Sequence, residues 1–351
     1  MTGITNPSTL LMLCIAGLLL WGLWANTWKL AGKWRFELYV IDFGFGLALT
    51  SLIICFTAGF SGSDITFLDN ITIIRTRQVG LPLLAGGLTA LGMLLTMGAI
   101  SLSGLSTGFA VSMGTGILSG AIWRYFLFPK TNSVFLFGGS AIVAGGAALA
   151  ALAFSLYQHK RNEGLPLPPS AVSRRPAVRK HSAGRAIALA LLGGAFLGTF
   201  HPLLTLTQTF EVEMGAYAIL FLFACGVVPA CLLFNMYFFN LPVEGKNLSF
   251  GDYFRSSAKQ HAMGLLGGAL WALALAANLV AITAPAGLAP VALSSGAAVY
   301  GAALLSVLAG LTAWREWKDA PDRARIFIWL SVPISLTGVL LVSLASAYVQ
   351  P

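Results

Sequence analysis

Two carboxylates and one histidine stand where a solute-coupled proton could use them. Asp42 opens an apolar run that continues uncharged to Phe60. Seven residues past Arg35, at ~1.5 Å of rise per residue, it lies ~10 Å along a helix, beyond the snorkelling reach of so short a side chain. An ionisable group at that depth is expected to pair, to bind, or to move a proton. Asp42 is therefore the first candidate for proton coupling, with permanent pairing to Lys29 or Arg35 as the competing account. Glu37, beside Arg35 at the start of the same run, is a second coupling candidate or a solvated, paired loop charge. His201 precedes Pro202 beyond the middle of another apolar run. It caps the break that proline introduces, binds solute, or carries a proton; capping ranks first. The other three histidines lie outside the apolar runs, so a multi-histidine metal site has no support.

Aromatic and hydroxyl groups supply the candidate solute ligands. Trp21, Trp24 and Trp28 recur at spacings of three and four, which puts their rings on one helical face. Trp28, beside Lys29, reads as an interfacial belt residue. Trp21 and Trp24 lie deeper and, with Asn26, form an aromatic face with an amide, suited to a planar ring or a sugar. Ser294, Ser295 and Tyr300 follow Pro290 near the middle of a later run, and Ser112 and Thr115 hold the corresponding place in an earlier one. Trp271 and Asn278 complete the set. Each hydroxyl taken singly reads as packing, since it can bond within its own helix; facing one cavity they are solute ligands. No Ser/His/Asp cluster, paired aspartate or metal-ligand set is visible, so the chain reads as neither an enzyme nor the holder of a cofactor.

These residues need apolar helices to hold them. Of 351 residues, 57% are hydrophobic and 9% charged, against ~25% charged in soluble proteins. Apolar runs of ~20 residues match the ~30 Å hydrocarbon core of a bilayer. Ten spans are expected: Ser8–Trp28, Tyr39–Phe60, Gly80–Leu102, Leu105–Tyr125, Val134–Leu156, Arg185–Leu206, Met214–Tyr237, Ala262–Ile282, Leu288–Leu311 and Arg325–Ala347. The only long polar stretch, Tyr157–Gly184, is rich in Pro, Ser and Arg and reads as a solvated linker between a first five-helix unit, 1–156, and a second, 185–351. Cys14, Cys55, Cys225 and Cys231 all lie in apolar runs and read as packing residues.

The net charge of +9 is spread through loops rather than gathered in a patch, so nucleic acid is not expected as a partner. Odd-numbered loops, counting the linker, carry seventeen of the twenty-one Lys and Arg; even-numbered loops carry Arg75, Arg77, Arg124 and Lys130. The positive-inside rule then makes the linker cytoplasmic and puts both termini outside the cell (inner) membrane. A shift of 182 residues aligns Leu83–Gly114 with Leu265–Gly296 at 11 identities in 32 positions, and a shift of 176 pairs Gly17/Gly193, Gly22/Gly198 and Glu37/Glu213. Duplication across an odd number of spans gives an inverted repeat, with a solute site expected at the repeat interface.

Trp21-Gly22-Leu23-Trp24-Ala25-Asn26-Thr27 before a basic turn, within a 5+5 arrangement, resembles the drug/metabolite transporter (DMT/EamA-like) superfamily. Lys33-Trp34-Arg35-Phe36-Glu37-Leu38-Tyr39 with Asp42 is similar to its branch of ureide permeases and glucose/ribose or rhamnose porters. So is Gly86-Gly87 … Ala99 … Gly104-Leu105-Ser106. The resemblance implies a proton- or ion-coupled permease, monomeric or homodimeric, for small polar organic solutes, and it selects the first, third, fourth, sixth, eighth and ninth spans as cavity-lining. The linker carries no GxxxxGK[ST], so ATP drive is not implied. Scarce charge within the spans favours a neutral solute such as a ureide, nucleobase or sugar. A metabolite or drug exporter of the same superfamily is the alternative, and a channel or non-transport membrane subunit is the alternative of another class.

Overall fold

Backbone groups in hydrocarbon must satisfy one another, and a chain this apolar meets that demand with helices. The computed structural model describes residues 6–60, 66–128, 130–163, 183–285, 287–288 and 290–347. The principal helices are α1 (Pro7–Leu23), α2 (Phe36–Thr57), α3 (76–103), α4 (105–127), α5 (Ser133–Glu163), α6 (Ala183–Leu206), α7 (Ala216–Asn240), α8 (Ala258–Ile282), α9 (Gly296–Thr312) and α10 (Asp322–Ala347). Among the described residues, seven apolar helical stretches, with 76–127 taken as one, are long and apolar enough to cross a membrane; α1 and α9 are shorter. The protein is an all-α, polytopic membrane protein.

Helix boundaries have visible reasons, whether they fall where the sequence reading placed them, as between the third and fourth spans, or elsewhere. The stretch 76–127 has 52 residues, ~78 Å of helix against ~30 Å of hydrocarbon. Gly104, at φ +82° and ψ 170°, divides it into α3 and α4, a conformation open to glycine and strained for other residues. Helix α1 stops at Leu23, and the chain resumes as a short helix, Asn26–Leu30. Helix α6 is interrupted at Gly198–Thr199, just before His201. Helix α9 starts only at Gly296: Pro290 opens a single turn, Val291–Ser294, and Ser295 caps the helix proper, accepting from the Ala298 N–H. Ser294 and Ser295 thus lie at the start of this helix rather than mid-span. Helix α5 continues two turns past Leu156 to Glu163, with Tyr157 packed on Trp317. The rest of the expected linker, 164–182, lies outside the described residues.

Glycine sets how closely these helices approach. A Cβ on Gly268 of α8 would collide with the Phe43 carbonyl of α2, and one on Gly46 of α2 with the Leu265 carbonyl of α8. The same reciprocal contact joins α3 and α7. A Cβ on Gly86 would meet the Phe223 carbonyl, and one on Gly226 the Leu83 carbonyl. Small residues are what lets membrane helices approach this closely.

Connections gather on two opposite faces. On one, which carries the basic loops, Lys29 pairs with Glu316 (2.8 Å), Arg35 donates to the Lys246 carbonyl (3.1 Å), and Trp34 donates to Ser256 (2.9 Å). On the other, Gln78 donates to the Val212 carbonyl (2.7 Å), and the Gly215 N–H donates to Asn70 (2.9 Å). Gly80, by contrast with the crossing glycines, has open space where a Cβ would go. Gly268→Val should therefore lower stability by about 1–3 kcal/mol or more through forced separation of α2 and α8. Gly80→Ala should raise it by up to about 1 kcal/mol. Unfolding of the purified variants in detergent measures both.

Candidate functional site

Where α1, α3, α4, α6, α8 and α9 converge they leave a central cavity of about 70 Å³. Trp21, Trp24, Phe109, Phe200 and Trp271 form its aromatic wall, with Thr96, Ser112 and Tyr300 as polar members and Met93 and Met113 as adaptable filling. The Trp271 ring stands edge-on to Trp21 (5.8 Å between centroids) and stacks on Phe223 (5.4 Å, 11°). Trp24 lies edge-on to Phe109 (5.9 Å). A volume of about 70 Å³ accommodates roughly two waters at ~30 Å³ each. A ring-sized solute requires the helices to part.

Most polar groups here are already satisfied. Thr96 and Ser112 share a hydroxyl–hydroxyl bond (2.8 Å), and the Tyr300 hydroxyl donates to the Leu197 carbonyl (2.9 Å). Trp21 is a buried exception. Its side chain is 5% exposed, yet the indole N–H has no hydrogen-bond partner. The indoles of Trp28, Trp34 and Trp314 all donate to the protein. A buried donor left unpaired costs about 1–3 kcal/mol, a cost an acceptor on a solute would remove.

Two further cavities continue toward the face opposite the basic loops. A narrow one of about 30 Å³ shares Tyr300 with the central cavity and adds Gly120, Arg124 and His201. A wider one of about 540 Å³ shares Arg124 and His201 with the narrow one and adds Thr205, Gln208, Glu213, Ser294 and Ser295. Tyr300 borders both the central and the narrow cavity, and Arg124 with His201 border both the narrow and the wide one.

The candidate residues therefore divide. Trp21, Trp24, Ser112, Trp271 and Tyr300 meet in the central cavity; His201, Ser294 and Ser295 line the wider outer one. Ser112 and Ser294, expected to face one space from symmetric places, face different ones, because α9 begins beyond Ser294. His201 Nε2 and Asn278 Nδ2 both donate to the Ser294 carbonyl (2.9 and 3.0 Å), which the break before α9 leaves without a helical partner. His201 thus caps the start of α9 rather than the proline in its own helix. Thr115 donates to carbonyls of its own helix, 3.1 Å to Ser112, and does not line the central cavity. Asn26 lies on the basic face, accepting from the Trp314 indole (2.7 Å) and bonding the Leu23 carbonyl.

Both candidate coupling carboxylates are partnered. Arg35 donates twice to Glu37 (3.0 and 2.6 Å), which is wholly buried rather than solvated. Asp42 pairs with neither Lys29 nor Arg35. His261 Nδ1 meets one Asp42 oxygen (2.7 Å), and the Tyr253 hydroxyl donates to the other (2.5 Å). Burial and the facing carboxylate push the Tyr253 phenol well above its usual range, which keeps it a donor throughout the physiological range. His261 falls inside α8 because that helix starts at Ala258. The signal was Ser257-Ala258-Lys259-Gln260, a capping box whose two reciprocal bonds fix the first turn.

One carboxylate that the sequence did not single out closes the basic face. Glu316 accepts from the Leu105 and Ser106 N–H groups (2.9 Å each) and the Ser106 hydroxyl (2.8 Å), besides pairing with Lys29 (2.8 Å). It joins the break between α3 and α4 to the chain after α1 and after α9.

No protein-family model and no curated protein matches the sequence. A solved structure described as "Crystal structure of protein" matches over 97% of this chain and 98% of its own, at a TM-score of 0.50 and 14% sequence identity. At that identity the likeness concerns the fold alone.

Glu316→Ala should cost roughly 2–4 kcal/mol, since it strands a lysine and three donors that charge-assisted bonds now satisfy. Asp322→Ala should be within about 0.5 kcal/mol of the parent, because the Asp322 side chain is 92% exposed. Chemical denaturation of both variants provides the comparison.

Proposed function

We propose that the protein is a secondary transporter, not an enzyme, that carries a small polar organic solute through the central aromatic cavity. The observation that carries this reading is the buried, unpartnered Trp21 indole N–H on a wall of rings. An apolar pocket with one or two unsatisfied polar groups is what orients a small ligand. A ureide, nucleobase or sugar fits that chemistry, with one face to stack and an edge to accept. The line of cavities toward one face, and the ion-paired closure at Glu316 on the other, support alternating access.

We read the architecture as ten spans in two inverted five-helix repeats of the drug/metabolite transporter kind. Support comes from contacts that recur when the halves are exchanged. The α2–α8 glycine crossing has its counterpart in α7–α3, with Gly46/Gly226, Phe43/Phe223, Leu83/Leu265 and Gly86/Gly268 in matching roles. Gly17 approaches Ala274, and Gly193 approaches Gly92; Gly22 approaches Ala302, and Gly198 approaches Gly120. Helices α5 and α10 meet each other through Gly139 and Gly338. The excess of basic loops on one face supports a cytoplasmic side for the face from which the expected Tyr157–Gly184 linker leaves, with the cavities reached from outside.

Coupling is assigned to Asp42 with His261. Two titratable groups in direct contact exchange a proton readily, and their bond ties α2 to the start of α8. Protonation that loosens this tie frees the helix bearing Trp271 to move, which joins the proton to the cavity. Uptake driven by protons follows from the resemblance and from this pair.

Three measurements test the reading. A thermal-shift panel of ureides, nucleobases and sugars should identify a ligand that raises apparent stability. Trp21→Phe, which keeps the ring and removes the donor, should weaken that ligand about tenfold (1.4 kcal/mol) with an unchanged melting temperature; unaltered affinity would remove the central observation. Asp42→Asn should abolish pH-driven accumulation in proteoliposomes while solute exchange persists. Accumulation with an unchanged pH dependence would make Asp42 structural.

A further inference from the structure

Arg124, like His201, borders both outer cavities on the line from the aromatic site. It lies on α4 at the end of a stripe, Gly116, Gly120 and Arg124, spaced by four residues and so on one helix face. Gly116 borders the central cavity, Gly120 and Arg124 the narrow one. A helical side chain leans over the turn that precedes it, so Arg124 leans toward Gly120 and the narrow cavity.

Its charge is unusually placed. Arg124 Nε is buried without a hydrogen-bond partner, and the guanidinium lies 5.5 Å from the Phe128 ring centroid. Among the described residues no carboxylate pairs with it. Glu213, which borders the wide cavity, is exposed and forms no ion pair with it among the described residues. The polar neighbours are committed elsewhere: His201 donates to the Ser294 carbonyl and Gln208 to the Met214 carbonyl. A guanidinium with a buried, unpaired nitrogen and no carboxylate partner among the described residues favours an anion, and its planar fork fits the two oxygens of a carboxylate.

We propose that Arg124 is an anion-recognition residue on the solute path and that the solutes this protein selects carry a carboxylate group. This rests on the transport reading and sharpens its substrate class. Scarce charge within the spans favoured a neutral solute, with Arg124 counted among the loop charges. In the folded chain the carboxylate pairs with Arg124 as the solute passes the narrow cavity, and the rest of the molecule continues toward the aromatic wall.

Matched acids and uncharged analogues test it: orotate with uracil, nicotinate with nicotinamide, allantoate with allantoin, glucuronate with glucose. Binding to the purified full-length protein is read by tryptophan fluorescence and by thermal shift. In at least one pair the acid should bind ten times or more tightly than its analogue. Arg124→Gln should erase that preference and leave the analogue's affinity unchanged. Arg124→Lys, a charge without the fork, should retain part of it; both variants should elute as the parent does on size exclusion. The proposal is overturned if no acid binds, if the analogue binds as well, or if the preference survives in Arg124→Gln. It is likewise overturned if Arg124→Gln fails to fold while Arg124→Lys folds with its preference for the acid gone. An uncharged analogue bound through Trp21 and transported, with no gain from its acid, leaves the transport reading intact. Acid binding that depends on Arg124 without flux into proteoliposomes sustains the anion site and defeats transport.

Discussion

Everything in this fold depends on helices touching backbone to backbone. At Gly46, Gly86, Gly226 and Gly268 a carbonyl of the facing helix occupies the space a β-carbon would need. Lipid supplies no hydrophobic force between helices, so close van der Waals contact has to hold them. That closeness pins α2 to α8 and α3 to α7, and the pinned pairs carry Trp271 on one side and Met93 and Thr96 on the other. The central cavity is what remains between rigid pairs, walled by rings too large to enter the crossings.

Much of this was legible in the sequence, for particular reasons. Apolar run length fixes helices well in a bilayer, and Trp21 and Trp24, spaced to share a face, do share one cavity. The place of Ser294 and Ser295 at a helix start is not legible, because hydropathy continues smoothly through Pro290, whereas hydrogen bonding does not; the chain needs Ser295 as a cap before α9 can begin. Arg124 was counted as a loop charge for a similar reason, since a one-dimensional count cannot tell a residue facing water from one facing a cavity. His261 was excluded by a boundary four residues too late, although Ser257 and Gln260 marked the true one. Glu316 was out of reach, because its partners at 29, 105 and 106 are distant in sequence and two of them are backbone amides.

The two ends of the molecule are held by different chemistry. On the basic face, closure uses ion pairs and charge-assisted bonds: Lys29 with Glu316, Arg35 with Glu37, Asp42 with His261. On the other face the cavities meet at Tyr300 and then at Arg124 and His201, with neutral hydrogen bonds around them. Ionic closures respond to protonation and competing ions, while the opposite face presents one unpaired guanidinium among neutral hydrogen bonds. Such an asymmetry gives the two ends separate controls over one internal space.

Glu316 fills space as well as bonding. A β-carbon on Gly104 would come within 2.7 Å of its carboxylate, and one on Gly310 equally close. Neither glycine can acquire a side chain while that carboxylate stays, and the carboxylate has no substitute of the same shape that also accepts four bonds. Positions 104, 310 and 316 therefore form a single heritable unit: in divergent sequences of this fold they should be retained together or exchanged together, as a covarying triplet whose members are more than two hundred residues apart at the extremes.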